Sequence, residues 1–218
     1  MFACRIISRP WSADPEINEL LESWILGDTS IISLIQHSAH FSKLFNTFVN
    51  QMQSGAVAGN RIKNLQKRKH RFDSMQRPLG RFCLYFEAVL STAVWISVHR
   101  TGKPKTVAQN FLRALTHEKL VMISMLADAA DEAITLIRFL DTESVDGSEI
   151  QLEVQLFLSR MHHLFNEGRV SEVPGYCHHM LEQLKTPKGF LVDSVPKTIG
   201  TNSCLDLLSM KQSINTNM

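Results

Sequence analysis

Residues 116–140 read THEKLVMISMLADAADEAITLIRFL, and this stretch decides the fold class. Leu120, Ile123, Leu126, Ala130, Ala133, Ile134, Ile137 and Leu140 recur at the three- and four-residue steps that share one face of an α-helix. Asp128, Asp131, Glu132 and Arg138 are left for more exposed positions. A run this long with one apolar stripe predicts a long helix lying on a helical core.

Working outward, the flanking segments carry the same period. Asp14-Pro15-Glu16 is a helix start: Asp14 can cap, Pro15 suits the first helical position, and Glu16 and Glu19 suit the positive end of the dipole. Ile17, Leu20, Leu21, Trp24 and Ile25 follow at helical spacing, and Gly27 stops them. A second helix is predicted from Asp28–Ser30 through Val49, carrying Ile31, Leu34, Ile35, Phe41, Leu44, Phe45 and Phe48. Ser54 to Asn60 reads as a loop and Arg77-Pro78-Leu79-Gly80 as a break. Arg81 to Val98 is apolar on nearly every face, as a central buried helix would be, and Thr101-Gly102-Lys103-Pro104 is a turn. After the loop Asp141–Gly147, Ser148-Glu149 opens a helix to about Phe165, ended by Asn166-Glu167-Gly168, and a last helix spans about Tyr176–Leu184.

No solenoid repeat and no convincing alternating strand pattern interrupts this series. The expectation is an all-α protein, an irregular bundle of about six helices. It comprises an N-terminal extension (1–13), a helical domain (14–185) with a basic segment at 61–81, and a disordered C-terminal tail (186–218), rich in Ser, Asn, Thr and Pro.

The 218 residues suffice for one domain with a sizeable core, 44% of them being hydrophobic. No apolar run approaches the roughly eighteen residues of a membrane span, so no membrane partner is expected. The cysteines Cys4, Cys83, Cys177 and Cys204 form no CxxC pair and fit reduced thiols in an intracellular protein.

Charge is unevenly distributed. The total is +2, but residues 61–105 hold eleven Lys and Arg against Asp73 and Glu87, whereas residues 106–185 hold twelve Asp and Glu against six Lys and Arg. Lys67-Arg68-Lys69-His70-Arg71, followed by Phe72, can neutralise several phosphates and give salt-sensitive affinity with little sequence preference. The candidate nucleic-acid-binding residues are Arg61, Lys63, Lys67, Arg68, Lys69, Arg71, Phe72, Arg77 and Arg81. The same run also fits a nuclear-import address or a solvated loop. Either of the first two uses places the chain in the nucleus.

Signs of chemistry are sparse. There is no GxSxG, P-loop or GxGxxG, so neither an enzyme nor a cofactor is expected. Asp128, Asp131 and Glu132 at i, i+3, i+4 could face a divalent metal, but a solvated acidic face has the same spacing. His162-His163 and Cys177-His178-His179 are dense in zinc-ligand types. Adjacent residues on a helix point about 100° apart, however, so each cluster offers one ligand at best to a shared site. His37 and His40 have no third ligand nearby. No metal site is expected from these residues.

Three stretches resemble the middle of hAT-superfamily transposases and the vertebrate proteins descended from them. His37-Ser38-Ala39-His40, running into Phe41, Leu44, Phe45 and Phe48, is similar to the family's C-x-x-H signature with His37 in place of Cys. His70-Arg71-Phe72-Asp73-Ser74 is similar to T-R-W-x-S, with His70 and Phe72 replacing Thr and Trp. Met125-Leu126-Ala127-Asp128, with Ile134, Leu136 and Ile137 beyond, looks like the family's "f-l-a-D" helix. The resemblance covers roughly residues 31–185. It implies the helical insertion of a ribonuclease H-like transposase, with Phe72 near DNA, and a fragment or domesticated remnant without strand-transfer chemistry. The expected function is therefore non-catalytic nucleic-acid binding, on DNA with low sequence specificity. The alternative is a protein-interaction or dimerisation module that packs on a helical partner or a second copy through Phe41–Phe48 and Phe82–Trp95.

Overall fold

The computed structural model describes residues 14–53, 73–141 and 146–200. They form a mostly helical fold with one small hairpin. Helix α1 (Pro15–Leu21) starts as its sequence requires: Asp14 Oδ1 accepts the backbone N–H groups of Glu16 (2.9 Å) and Ile17 (3.1 Å). It continues into a wider π turn, Glu22–Leu26, which buries Trp24, Ile25 and Leu26 before Gly27 ends it. The predicted second helix is two helices, α2 (Ile31–His37) and α3 (Ala39–Gln53), because Ser38 takes an extended conformation between them. Ser30 is buried and doubly satisfied, accepting from Ser33 N–H and donating to the Ile25 carbonyl, which fixes the corner between the π turn and α2.

Helix α4 (Asp73–Leu84) runs through the break expected at Arg77–Gly80. An internal proline costs a helix about 3 kcal/mol. Here Leu79, Phe82 and Cys83 are each nearly inaccessible, and their burial, worth about 1.5–3 kcal/mol per large side chain, outweighs it. The break comes instead at Tyr85, where the chain turns by 77° into α5 (Phe86–His99). There the Gln183 amide donates to the Cys83 carbonyl (3.0 Å).

As expected, α5 is central, burying Phe86, Val89, Leu90, Ala93 and Ile96. Its buried hydroxyls cause no penalty because Thr92 donates to the Ala88 carbonyl and Ser97 to that of Val94. Among the described residues no single helix is long and apolar enough to cross a membrane. Beyond Gly102, where the sequence marks only a turn, Lys103–Ala114 forms α6. Trp24, Phe82, Phe86 and Phe111 join the π turn, α4, α5 and α6 in an aromatic cluster, Trp24 standing edge-on to Phe111 at 5.1 Å.

Helix α7 (His117–Leu140) is the long helix of residues 116–140, capped by Thr116. Leu120, Ile123, Ala127, Ala130 and Ile134 are buried, but Leu140 is exposed. Helix α8 (Gly147–Met161) opens on a capping box between Asp146 and Glu149. A π turn at His162–Asn166 ends that run before Gly168, which sits at φ +74°. Helix α9 (Tyr176–Leu184) follows, within the bounds predicted for the last helix.

The expected tail from residue 186 onward is not tail throughout. Strands β1 (Lys188–Val192) and β2 (Val195–Ile199) pair antiparallel, with Lys188 opposite Ile199 and Val192 opposite Val195. Phe190, Val192 and Ile199 enter the core. The hairpin is fastened to α6 by Asp193, which accepts from Gln109 and Arg113, and by Lys197, whose Nζ donates to the Leu112 and Arg113 carbonyls. Those are orphan carbonyls of a helix C-terminus, where a cation is favoured. Burial and the nearby Lys119 charge hold the Lys197 pKa below its ordinary value.

Candidate nucleic-acid interface

Of the nine residues assigned to nucleic acid, Arg61, Lys63, Lys67, Arg68, Lys69, Arg71 and Phe72 lie outside the described residues. Arg77 and Arg81 are one turn apart on α4, and they differ. Arg77 is exposed, whereas Arg81 is partly buried, its Nη1 enclosed and without a hydrogen-bond partner. Arg77 can meet a phosphate as it stands; Arg81 belongs to the body of the fold.

A second cationic surface was missed by the sequence reading. Residues 29–53, spanning α2 and α3, contain no Asp or Glu, and neither do residues 88–117, spanning most of α5 and all of α6. These helices pack together, and His40, at the start of α3, meets Trp95 of α5 with ring centroids 5.5 Å apart. Trp95 in turn stacks on His99, one turn along, at 4.7 Å and 16° between planes. His99 Nδ1 lies 3.0 Å from the Trp95 carbonyl, which holds the imidazole in that stack. The Arg100 guanidinium sits 5.1 Å from the Trp95 ring and 5.8 Å from that of Phe41, within cation–π range.

Four rings (His40, Phe41, Trp95 and His99) and a guanidinium therefore form one cluster, of which His40 and His99 are exposed. Lys43, one turn beyond His40, and Lys103, three residues beyond Arg100, are exposed as well. Lys105 is placed differently, since its charge acts on Asp193 of the hairpin. The sequence signal was available: the carboxylate-free runs, and His-Arg-x-x-Lys following Trp95 at helical spacing. It was overshadowed by the denser run at 67–71.

The remaining chemical candidates are engaged in the fold. Asp128 is not an outward-facing acid: its carboxylate accepts the backbone N–H groups of Tyr176 (2.7 Å) and Cys177 (2.9 Å) at the start of α9. Glu132 and Glu153 both hold Arg160, at 2.8 and 3.0 Å. His162 and His163 are exposed beside Glu167, whose carboxyl is drawn below its ordinary range chiefly by the hydrogen bond from His163. His178 Nδ1 contacts the Ser171 carbonyl, and the Nε2 of His179 is enclosed with no hydrogen-bond partner. Cys83 and Cys177 are buried cysteines outside any disulfide, and desolvation first, then the Asp128 charge, pushes the Cys83 thiol up, away from a reactive thiolate. His37 and His40 sit on different helices, separated by the Ser38 break. Among the described residues no three His, Cys, Asp or Glu side chains come together to hold a metal ion.

No family model, curated protein or solved structure matches this chain. What the molecule offers is the geometry itself. The half-buried Arg100 meets aromatic rings on the α3–α5 surface, and the carboxylates Asp128, Glu132 and Glu153 are tied into helix caps and ion pairs around α7 and α8.

Proposed function

We propose that this protein binds nucleic acid without catalysis, through phosphates, at the basic segment 61–81, which precedes α4 in the chain and runs into it as far as Arg81. The observation supporting this reading is the segregation of charge. Seven of the nine assigned residues fall in sequence between α3 and α4, and the α3–α5 surface of the folded body carries exposed His40, Lys43 and His99 with Arg100 over Trp95. Such a distribution raises the local concentration of a polyanion and gives salt-dependent binding. The resemblance to hAT transposases belongs to the same proposal, as does nuclear residence: the chain would be a helical, transposase-derived DNA-binding remnant. No strand transfer is proposed, since metal-assisted phosphoryl transfer needs convergent acids and Asp128 and Glu132 already have protein partners.

The deciding experiment is a salt titration of duplex binding by the full chain and by the K67A/R68A/K69A variant. Each lost phosphate contact should flatten the log–log slope by about 0.9. If the variant bound as the parent does at every salt concentration, this reading would be wrong.

A second reading, a protein-interaction module, is favoured by a different observation. The surfaces first suggested for it are unsuitable, because Phe41, Phe45, Phe82 and Phe86 are buried in the protein's own core. Helix α8 fits better: none of its side chains is buried, and Leu152, Leu156 and Leu158 are 57%, 43% and 59% exposed. Leucines this open on a fifteen-residue helix are a common mark of a binding face. Size-exclusion chromatography of L152E/L156E against the parent tests it, a loss of salt-insensitive self-association being the supporting result.

A further inference from the structure

We propose that the His40–Trp95–His99 ring row, with Arg100 and Lys103, is a separate contact site for single-stranded nucleic acid. This inference rests on the nucleic-acid reading but not on the segment 61–72. Single strands are bound where cations track the backbone and aromatic rings offer their faces to successive bases. Both components are present here within one patch. Trp95 and His99 are already parallel and stacked, with His99 at the exposed end. An unpaired base laid on its outer face would extend an existing stack and need no side-chain rearrangement. Arg100 is held over Trp95 and Phe41, so its position is fixed before a ligand arrives, and Lys43, one turn beyond His40 on α3, and Lys103, four residues beyond His99, are exposed.

The alternatives fit less well. A duplex keeps its bases stacked on one another and would leave the ring row unused. An acidic peptide could satisfy the cations but has no use for exposed ring faces aligned with them.

The test compares a fluorescent fifteen-nucleotide oligothymidylate with a duplex of equal length, using the full chain, H99A, R100A/K103A and K67A/R68A/K69A. Fluorescence of Trp95 provides a local reporter, with W95F as its control. The expected result is that H99A loses about five- to tenfold in affinity for the single strand and almost none for duplex. The R100A/K103A variant should weaken the single strand further. The K67A/R68A/K69A variant should weaken both ligands while keeping the single-strand preference. Thermal melts of H99A should match the parent, because the side chain is exposed.

Three results would overturn the site. One is equal single-strand affinity in H99A, R100A/K103A and parent. Another is a Trp95 emission unchanged by oligothymidylate. The third is displacement of the single strand by polyglutamate at equal charge concentration, which would assign the patch to an acidic protein. If only the patch variants were silent while K67A/R68A/K69A lost duplex binding, this inference would fall and the proposed function would stand. If the parent bound neither ligand, both would fall.

Discussion

Asp128 and Tyr176 lie 48 positions apart in the chain, and the carboxylate of the first accepts the backbone N–H of the second at 2.7 Å. Its other oxygen takes the N–H of Cys177 at 2.9 Å. Helix α9 has no side-chain cap from Gly175, the residue that would normally provide one, so Asp128 caps it from α7. The approach is close: a Cβ on Gly175 would fall 2.6 Å from the Asp128 carboxylate. Asp128→Ala should therefore loosen α9 and cost about 1–2 kcal/mol at neutral pH, read by chemical denaturation. Asp128→Asn, which keeps one acceptor, should cost less. Equal stability of D128A and parent would show that the cap contributes nothing.

The same carboxyl is predicted to leave a signature in pH. Its pKa is raised from 3.8 chiefly by desolvation, against which the Cys177 and Tyr176 N–H groups pull it down, while Asp131 and Glu132 add to the rise. The folded state then holds this proton more tightly than the unfolded chain. Ionisation costs stability, fully above the folded pKa, and the cost is relieved as pH falls through it. Parent minus D128N stability should grow as pH drops toward 4. A difference that stays flat with pH would contradict the raised pKa.

Gly80 and Tyr176 form a second contact between α4 and α9. A Cβ at Gly80 would lie 2.6 Å from the Tyr176 ring. Alanine normally gains about 1 kcal/mol over glycine inside a helix, but forcing an extra carbon into a packed contact costs about 1–3 kcal/mol. Gly80→Ala should thus destabilise the parent and stabilise the Tyr176→Ser variant. The sign reversal in a double-mutant cycle is the measurement. The same sign in both backgrounds would place the strain elsewhere.

Residues 116–140 were legible because one apolar stripe at constant period leaves only one compact solution. Asp14, Gly27 and Gly168 were legible as helix ends for a similarly local reason. What the sequence hid was decided by contacts far apart in the chain. Pro78 reads as a break until Leu79, Phe82 and Cys83 are seen to be buried around it. Asp128 reads as a solvated acid until α9 is placed against it. The hairpin was invisible because Gly189 and Pro196 weaken both strands and its turn is Asp193-Ser194, without the glycine such turns favour. Trp95 and His40 are 55 positions apart, and no local pattern announces their contact.

That hairpin turn offers a gain in stability. Asp193 and Ser194 sit at φ +53° and +68°, a region costly to side chains with a Cβ. Ser194→Gly should raise stability by roughly 0.5–1 kcal/mol, part of the relief being lost to the freer unfolded chain. Asp193→Ala should move the other way, since it removes the bonds to Gln109 and Arg113. Thermal melts of the two variants in opposite directions would verify the turn, and a loss in S194G would refute its strain.

Arg77 and Arg81 were assigned one role by sequence, and their surroundings give them two. Arg77 is exposed on α4 and free to approach a phosphate, so Arg77→Ala should flatten the salt slope of duplex binding by up to about 0.9 and leave the melting temperature almost unchanged. Arg81 is partly buried with Nη1 enclosed, and its hydrophobic stem covers core surface as long cationic side chains do. Arg81→Ala should lower the melting temperature through lost packing while the salt slope stays near that of the parent. Arg81→Met, which restores the stem without the charge, should recover most of the stability. If R81A and R81M flattened the slope as much as R77A at unchanged stability, Arg81 would belong with the phosphate contacts after all.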